Sequence, residues 1–117
     1  MNINKHTLGV AEEINLHDAE IKEVICNYYD HVVRIPILKS KLIKELIFRE
    51  VMSIDISILE PWGAGMYIHE FSVKEDKQKI TNYEKSDIKG LHFNILLNSG
   101  DNINITASVL EITEVSN

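Results

Sequence analysis

Leu91-His92-Phe93-Asn94-Ile95-Leu96-Leu97-Asn98-Ser99-Gly100-Asp101-Asn102-Ile103-Asn104-Ile105-Thr106-Ala107-Ser108-Val109 is the stretch on which the fold class turns. Leu91, Phe93, Ile95 and Leu97 alternate with His92, Asn94 and Asn98, broken only by Leu96. After Ser99-Gly100-Asp101-Asn102, the residues Ile103, Ile105, Ala107 and Val109 alternate with Asn104, Thr106 and Ser108. A period of two puts successive side chains on opposite faces of a strand, and a polar interval containing glycine is turn chemistry. The stretch predicts strand, turn and strand, with Leu91, Phe93, Ile95, Ile103 and Ile105 on the core face. Beyond Val109 the parity flips, because Leu110 and Ile112 are apolar and Glu111 is not. A bulge near Val109 would produce that flip.

The same period appears upstream. In residues 21–38, Val24, Cys26 and Tyr28 share one parity and Ile21, Glu23 and Ile25 the other. Asn27 and Asp30 supply turn chemistry, and Val33, Ile35 and Ile37 then alternate with Val32, Arg34 and Pro36. This predicts a hairpin rich in β-branched residues. Pro36 donates no backbone hydrogen bond, so its strand belongs at an edge or a bulge. Residues 39–59 carry two periods. Leu42, Ile43, Leu46, Ile47 and Glu50 fit helical spacing, whereas Phe48, Met52, Ile54, Ile56 and Ile58 oppose Arg49, Ser53, Asp55 and Ser57. The strand reading, over about 45–59, leaves Lys39, Lys41 and Lys44 around a preceding connection. Glu60-Pro61-Trp62-Gly63-Ala64-Gly65 reads as an irregular loop, residues 66–73 as a short strand, and the charged residues 74–89 as a solvated loop or one helical turn. The sum is a β-rich, all-β antiparallel domain, a sandwich or curved half-barrel of about six strands with at most one short helix.

Composition narrows the function classes. The 117 residues, 44% hydrophobic and 26% charged, suit one globular domain over 1–117. Wholly apolar runs are far shorter than the ~20 residues of a spanning helix, so no membrane segment is expected. Met1-Asn2-Ile3-Asn4-Lys5-His6 lacks an apolar signal core, and the single cysteine suits a reducing, cytoplasmic setting. Net charge is −6, with 7 basic and 10 acidic residues in 1–60 and 5 and 8 in 61–117, so neither half is a charged tail. The best candidate for a basic face, Lys39, Lys41 and Lys44, is small and followed by Glu45, which argues against nucleic acid and for a basic protein surface as the partner.

Few residues suggest chemistry. His17-Asp18 is a familiar metal or acid-base pairing, but neighbours on a strand point to opposite faces. The plainer reading is that Asp18 caps a turn at the start of the first strand. His6, His17, His31, His69 and His92 lack zinc-site spacing, and His69-Glu70 lacks the second histidine of a zincin motif, so no metal or other cofactor is expected. Cys26, mid-strand with Ile25 and Val24, reads as a buried, inert thiol. No serine sits in a nucleophile elbow, and Gly63 and Gly65 are too few to cradle phosphate. Trp62, the only tryptophan, either plugs the end of a β core or anchors a partner, with Glu60 and Glu70 as a polar rim. Tyr28, Tyr29, Tyr67 and Tyr83 are candidates for a contact face.

Four segments carry a resemblance. Leu16-His17-Asp18-Ala19-Glu20-Ile21 resembles a Leu-His-Asp-x-x-Ile signature, and it is joined by the segment from Phe48 to Asp55, Pro61-Trp62-Gly63, and Phe93-Asn94-Ile95-Leu96-Leu97-Asn98-Ser99-Gly100-Asp101. Together, over roughly 16–112, they are similar to small bacterial proteins of the YxiG-like type, often encoded beside polymorphic secreted toxins. The resemblance implies an immunity protein that neutralises a toxin by binding it, with no catalytic residues to transfer. The candidate binding residues are thus Trp62, Glu60, Glu70, Tyr67, His17 and Asp18, and the partner is another protein, such as a basic toxin domain. The alternatives are a self-associating structural domain, including a homodimer, and a small metal-dependent hydrolase using His17 and His69.

Overall fold

Alternation becomes pairing in two antiparallel sheets. The structure, a computed structural model, describes residues 2–4, 7, 14–57, 67–75 and 90–115. In chain order the strands are β1 (Asn2–Ile3), β2 (Glu20–Ile21), β3 (Ile25–Asn27), β4 (Val32–Lys39), β5 (Leu42–Arg49), β6 (Ser53–Ile56), β7 (Ile68–Glu75), β8 (Leu91–Leu97), β9 (Asn102–Ala107) and β10 (Val109–Glu114). One sheet has the order β1-β10-β5-β4-β2, with β3 also on β4, and the other the order β6-β9-β8-β7. The architecture is the expected all-β sandwich, with ten strands among the described residues instead of about six because several are only two to four residues long. The described residues include no helix, and so none long and apolar enough to cross a membrane.

The core lies between the sheets. Val33, Ile35 and Ile37 of β4, Leu46 and Phe48 of β5 and Leu110 of β10 face Leu91, Phe93 and Ile95 of β8 and Ile103 and Ile105 of β9. The five residues assigned to the core face of the C-terminal hairpin are all buried. Phe48 meets Phe93 edge to face across the two layers, with centroids 5.1 Å apart, and Phe93 also stacks on Phe71 at 6.3 Å. Gly100, at φ 97°, closes the β8–β9 turn in a left-handed conformation that favours glycine.

The parity flip near Val109 has a larger cause than an inserted residue. β9 belongs to one sheet and β10 to the other, and the chain bends between them at Ser108. The single strand expected over 45–59 is likewise divided. β5 ends at Arg49, Glu50 turns at φ 55°, and β6 starts at Ser53 in the opposite sheet. The two crossings lie side by side. Val51 N–H donates to His31 O at 2.9 Å, Met52 N–H to Thr106 O at 2.7 Å and Ser108 N–H to Arg49 O at 3.2 Å. Bends where strands change sheet are how a sandwich makes its corners.

Other expectations change near the lysines. Strand structure includes Lys39 and Lys44, and only Ser40 and Lys41 connect β4 to β5, at φ 53° and 66°. Two consecutive left-handed residues form the twist-matched hairpin turn that Asn-Gly ordinarily signals, here without either residue. Pro36 lies on an inner strand, not at an edge. β2 and β3 pair with β4 on either side of it, and residues 22–24 stand opposite only Ile35 and Pro36. One extra residue bulges where a ladder bond to Pro36 cannot form. Cys26 is exposed, because among the described residues β3 pairs with β4 alone and no second layer covers it. Ile47, on the outward parity, is nevertheless buried. Arg34 and Glu111 pair with it from either side, and the ion pairs Arg34–Glu45 at 2.9 Å and Arg49–Glu111 at 3.3 Å frame it with their alkyl stems.

Phe93 meets the rings of both Phe48 and Phe71, so Phe93→Ala is expected to lose about 3 kcal/mol or more in chemical denaturation. A loss below about 1 kcal/mol would mean that the inter-sheet contact is not where the stability resides.

Candidate functional site

Two surface regions bring together residues with chemical character. The first contains four of the six proposed binding residues. His17 and Asp18 are not on a strand but in the turn before β2, so opposite-face geometry does not separate them. Ala19 N–H donates to Leu16 O at 3.0 Å, and Asp18 takes φ 67° at the third position, where a type II turn prefers glycine or asparagine. The turn docks on the start of β7. Asp18 N–H donates to Ile68 O at 2.8 Å, Ile68 N–H donates to Ala19 O at 2.9 Å, and Glu20 bridges Tyr67.

His69 is the extra residue of a β-bulge between Ile68 and Glu70. A bulge re-aims side chains, and here two consecutive residues, His69 and Glu70, both face solvent while Ile68 is buried. His17 Nδ1 lies 2.8 Å from His69 O, which fixes Nδ1–H as the donor and leaves Nε2 beside Asp18 Oδ1 at 3.5 Å. The two imidazoles approach edge to face with centroids 5.9 Å apart. His17 and Asp18 are 57% and 77% exposed, so water screens their pairing. None of the described grooves includes these residues, and among the described residues no three His, Cys, Asp or Glu side chains are placed to hold a metal ion. Tyr67 and Glu70 are exposed at the same corner. Glu60 and Trp62 lie outside the described residues, so Trp62 as plug or anchor lies there too.

The second region adjoins the corner where the chain crosses between the sheets. Tyr28 and Tyr29 occupy the β3–β4 turn with 92% and 90% of their surface in water. The turn is braced. Asn27 Oδ1 accepts from Asp30 N–H at 3.0 Å, Asn27 Nδ2 donates to Asp30 Oδ2 at 3.0 Å, and His31, at φ 55°, stacks on the Tyr28 ring with centroids 6.2 Å apart. An asparagine bonding the backbone of its own turn is a local device that fixes loop conformation. Behind the turn lies a groove of about 330 Å³ whose lining includes Cys26, Val33, Val51, Met52 and Ile54. It joins, through His31, Val51 and Met52, a wider hollow lined also by Asp30, Glu50 and Ser108. Among the described residues, no lysine or arginine lines either hollow. Tyr83 lies outside the described residues, and the exposure of Tyr28, Tyr29 and Tyr67 was legible in the sequence. The groove was not, because it is made by β6 leaving for the other sheet.

No protein-family model matches the chain, and no curated protein matches it in sequence.

If Asp18 serves the turn through its backbone conformation, Asp18→Gly is expected to leave stability unchanged or raise it by up to about 1 kcal/mol. A loss larger than about 1 kcal/mol in urea denaturation would assign the carboxylate itself a structural role.

Proposed function

We propose that this protein is a non-catalytic binding domain that acts by stoichiometric association with another protein, as an immunity protein neutralising a cognate toxin in the cytoplasm of the producing cell. The observation that carries the binding part is the braced turn holding Tyr28 and Tyr29 almost wholly in water. Tyrosine offers large contact area for little conformational entropy, and a tip held in place loses less freedom when it docks. The toxin part rests on the resemblance of the Leu16–Ile21, 61–63 and 93–101 motifs, and a net charge of −6 suits a basic toxin domain.

A turnover reading has less support. The His17–Asp18–His69 corner is open to solvent, has no serine or cysteine against it among its described contacts, and belongs to a turn whose bonds dock it on β7. Near one equivalent of zinc in protein purified without chelator would favour the hydrolase reading and make His17 and His69 the first residues to substitute.

The test is co-expression with the toxin domain encoded beside this gene, followed by titration calorimetry and stopped-flow binding. Protection of the host and a one-to-one complex are expected, with added salt slowing association far more than it speeds dissociation. No protection and no binding would sink the immunity reading. An unchanged affinity for a folded Trp62→Ala variant would remove only Trp62 from the contact.

A further inference from the structure

We infer that the groove between β3 and β6 is the docking site, and that it takes an extended, basic segment of the partner protein. This rests on the protein-binding reading above and adds to it a surface and a chemistry. Three observations converge there.

The first is an open side. β3 and β6 belong to different sheets, and among the described residues each has a strand neighbour on one edge only. Both line the same groove. An unpaired strand edge offers a row of amides and carbonyls to another chain, which natural proteins otherwise cover or blunt with charge. Here Ile25, Met52 and Ile56 are exposed at or beside those edges.

The second is the lining. Val33, Val51 and Ile54 form an apolar floor only partly closed by Met52, while Tyr28 stands at the rim, its ring held by His31. The third is charge. Asp30 and Glu50 line the adjoining hollow and Asp55 is exposed on β6. The nearby arginines are engaged elsewhere, Arg34 with Glu45 and Arg49 with Glu111. An apolar floor, an exposed aromatic ring and carboxylates with no lysine or arginine beside them among the described residues favour a segment that alternates apolar and cationic side chains. In extended form such a segment continues the sheet at β6. Its apolar residues lie on Val51 and Ile54, and an arginine or lysine lies against Tyr28 near Asp30 and Glu50.

The probe is a short acetylated, amidated peptide of alternating valine and arginine, titrated into isotope-labelled protein by NMR, beside the same peptide with glutamate for arginine. Expected are saturable amide shifts confined to residues 25–33 and 50–56, absent with the glutamate peptide. Tyr28→Ala combined with Glu50→Gln should weaken binding by about tenfold or more while leaving the remaining spectrum unchanged. Three results would overturn the inference: no shifts, shifts centred on His17, Asp18, Tyr67 and Glu70, or equal binding of the two peptides. Sedimentation showing the groove closed by a second copy of the chain would also overturn it. The two readings fail separately. If the neighbouring toxin domain binds wild type and double variant equally, the groove is wrong and the binding function stands. If the peptide titrates the groove but the toxin neither binds nor is neutralised, the immunity reading is wrong and the groove stands.

Discussion

At one corner of the molecule the chain changes sheet twice, and the rest of the architecture depends on those crossings occurring side by side. β5 hands over to β6 through Glu50, Val51 and Met52, and β9 hands over to β10 at Ser108. The hydrogen bonds Met52 N–H to Thr106 O and Ser108 N–H to Arg49 O tie the outgoing strand to the returning one. Each crossing alone would leave buried backbone groups without partners, an expensive state in an apolar interior. Together they satisfy one another and let Phe48 of one layer meet Phe93 of the other. Glu50 adopts the left-handed conformation this requires, despite the strain that it implies for a residue with a side chain.

The same corner explains which parts of the fold were legible in the sequence. Period-two alternation reports a face, and it was right for Val33, Ile35 and Ile37, for Phe93 and Ile95, and for Ile103 and Ile105. Alternation does not report which sheet a strand joins. The parity break at Val109 was visible but its meaning was not, and the even-numbered apolar series from Phe48 to Ile56 resumes in phase on both sides of Glu50, where the chain crosses. Ser40-Lys41 forms a tight hairpin turn with neither glycine nor asparagine, and Cys26 keeps an apolar neighbourhood in sequence while lying on an uncovered strand. Local signals fail where tertiary geometry decides. Of the candidate site, the pairing of His17 with His69 depended on a bulge and a docked turn 52 residues apart, which spacing does not encode.

The surface divides by how its charges are used. On the outer face of β5, Arg34, Glu45, Arg49 and Glu111 pair with one another around Ile47. That arrangement hides an apolar residue and leaves little unpaired potential. Near the β3–β4 turn the arrangement is the reverse, with aromatic rings in water and carboxylates that, among the described residues, have no lysine or arginine beside them in the hollow. Exposed aromatic area of this kind is what a solvated surface otherwise minimises, and a braced turn keeps it from collapsing onto the apolar floor.

β9 and β10 come last among the strands in sequence order, yet both are inner strands: β10 lies between β1 and β5, and β9 between β6 and β8. During synthesis, the β4–β5 hairpin therefore emerges long before the strand that covers the other edge of β5, and β6 has no partner until residues 102–107 follow. A nascent chain in this state carries open, apolar strand edges for the time it takes to translate the rest. Non-local pairing of this order also makes folding slow for a chain of its size. The topology thus exposes the half-made protein to aggregation and to chaperones through strand edges that the finished sheets cover.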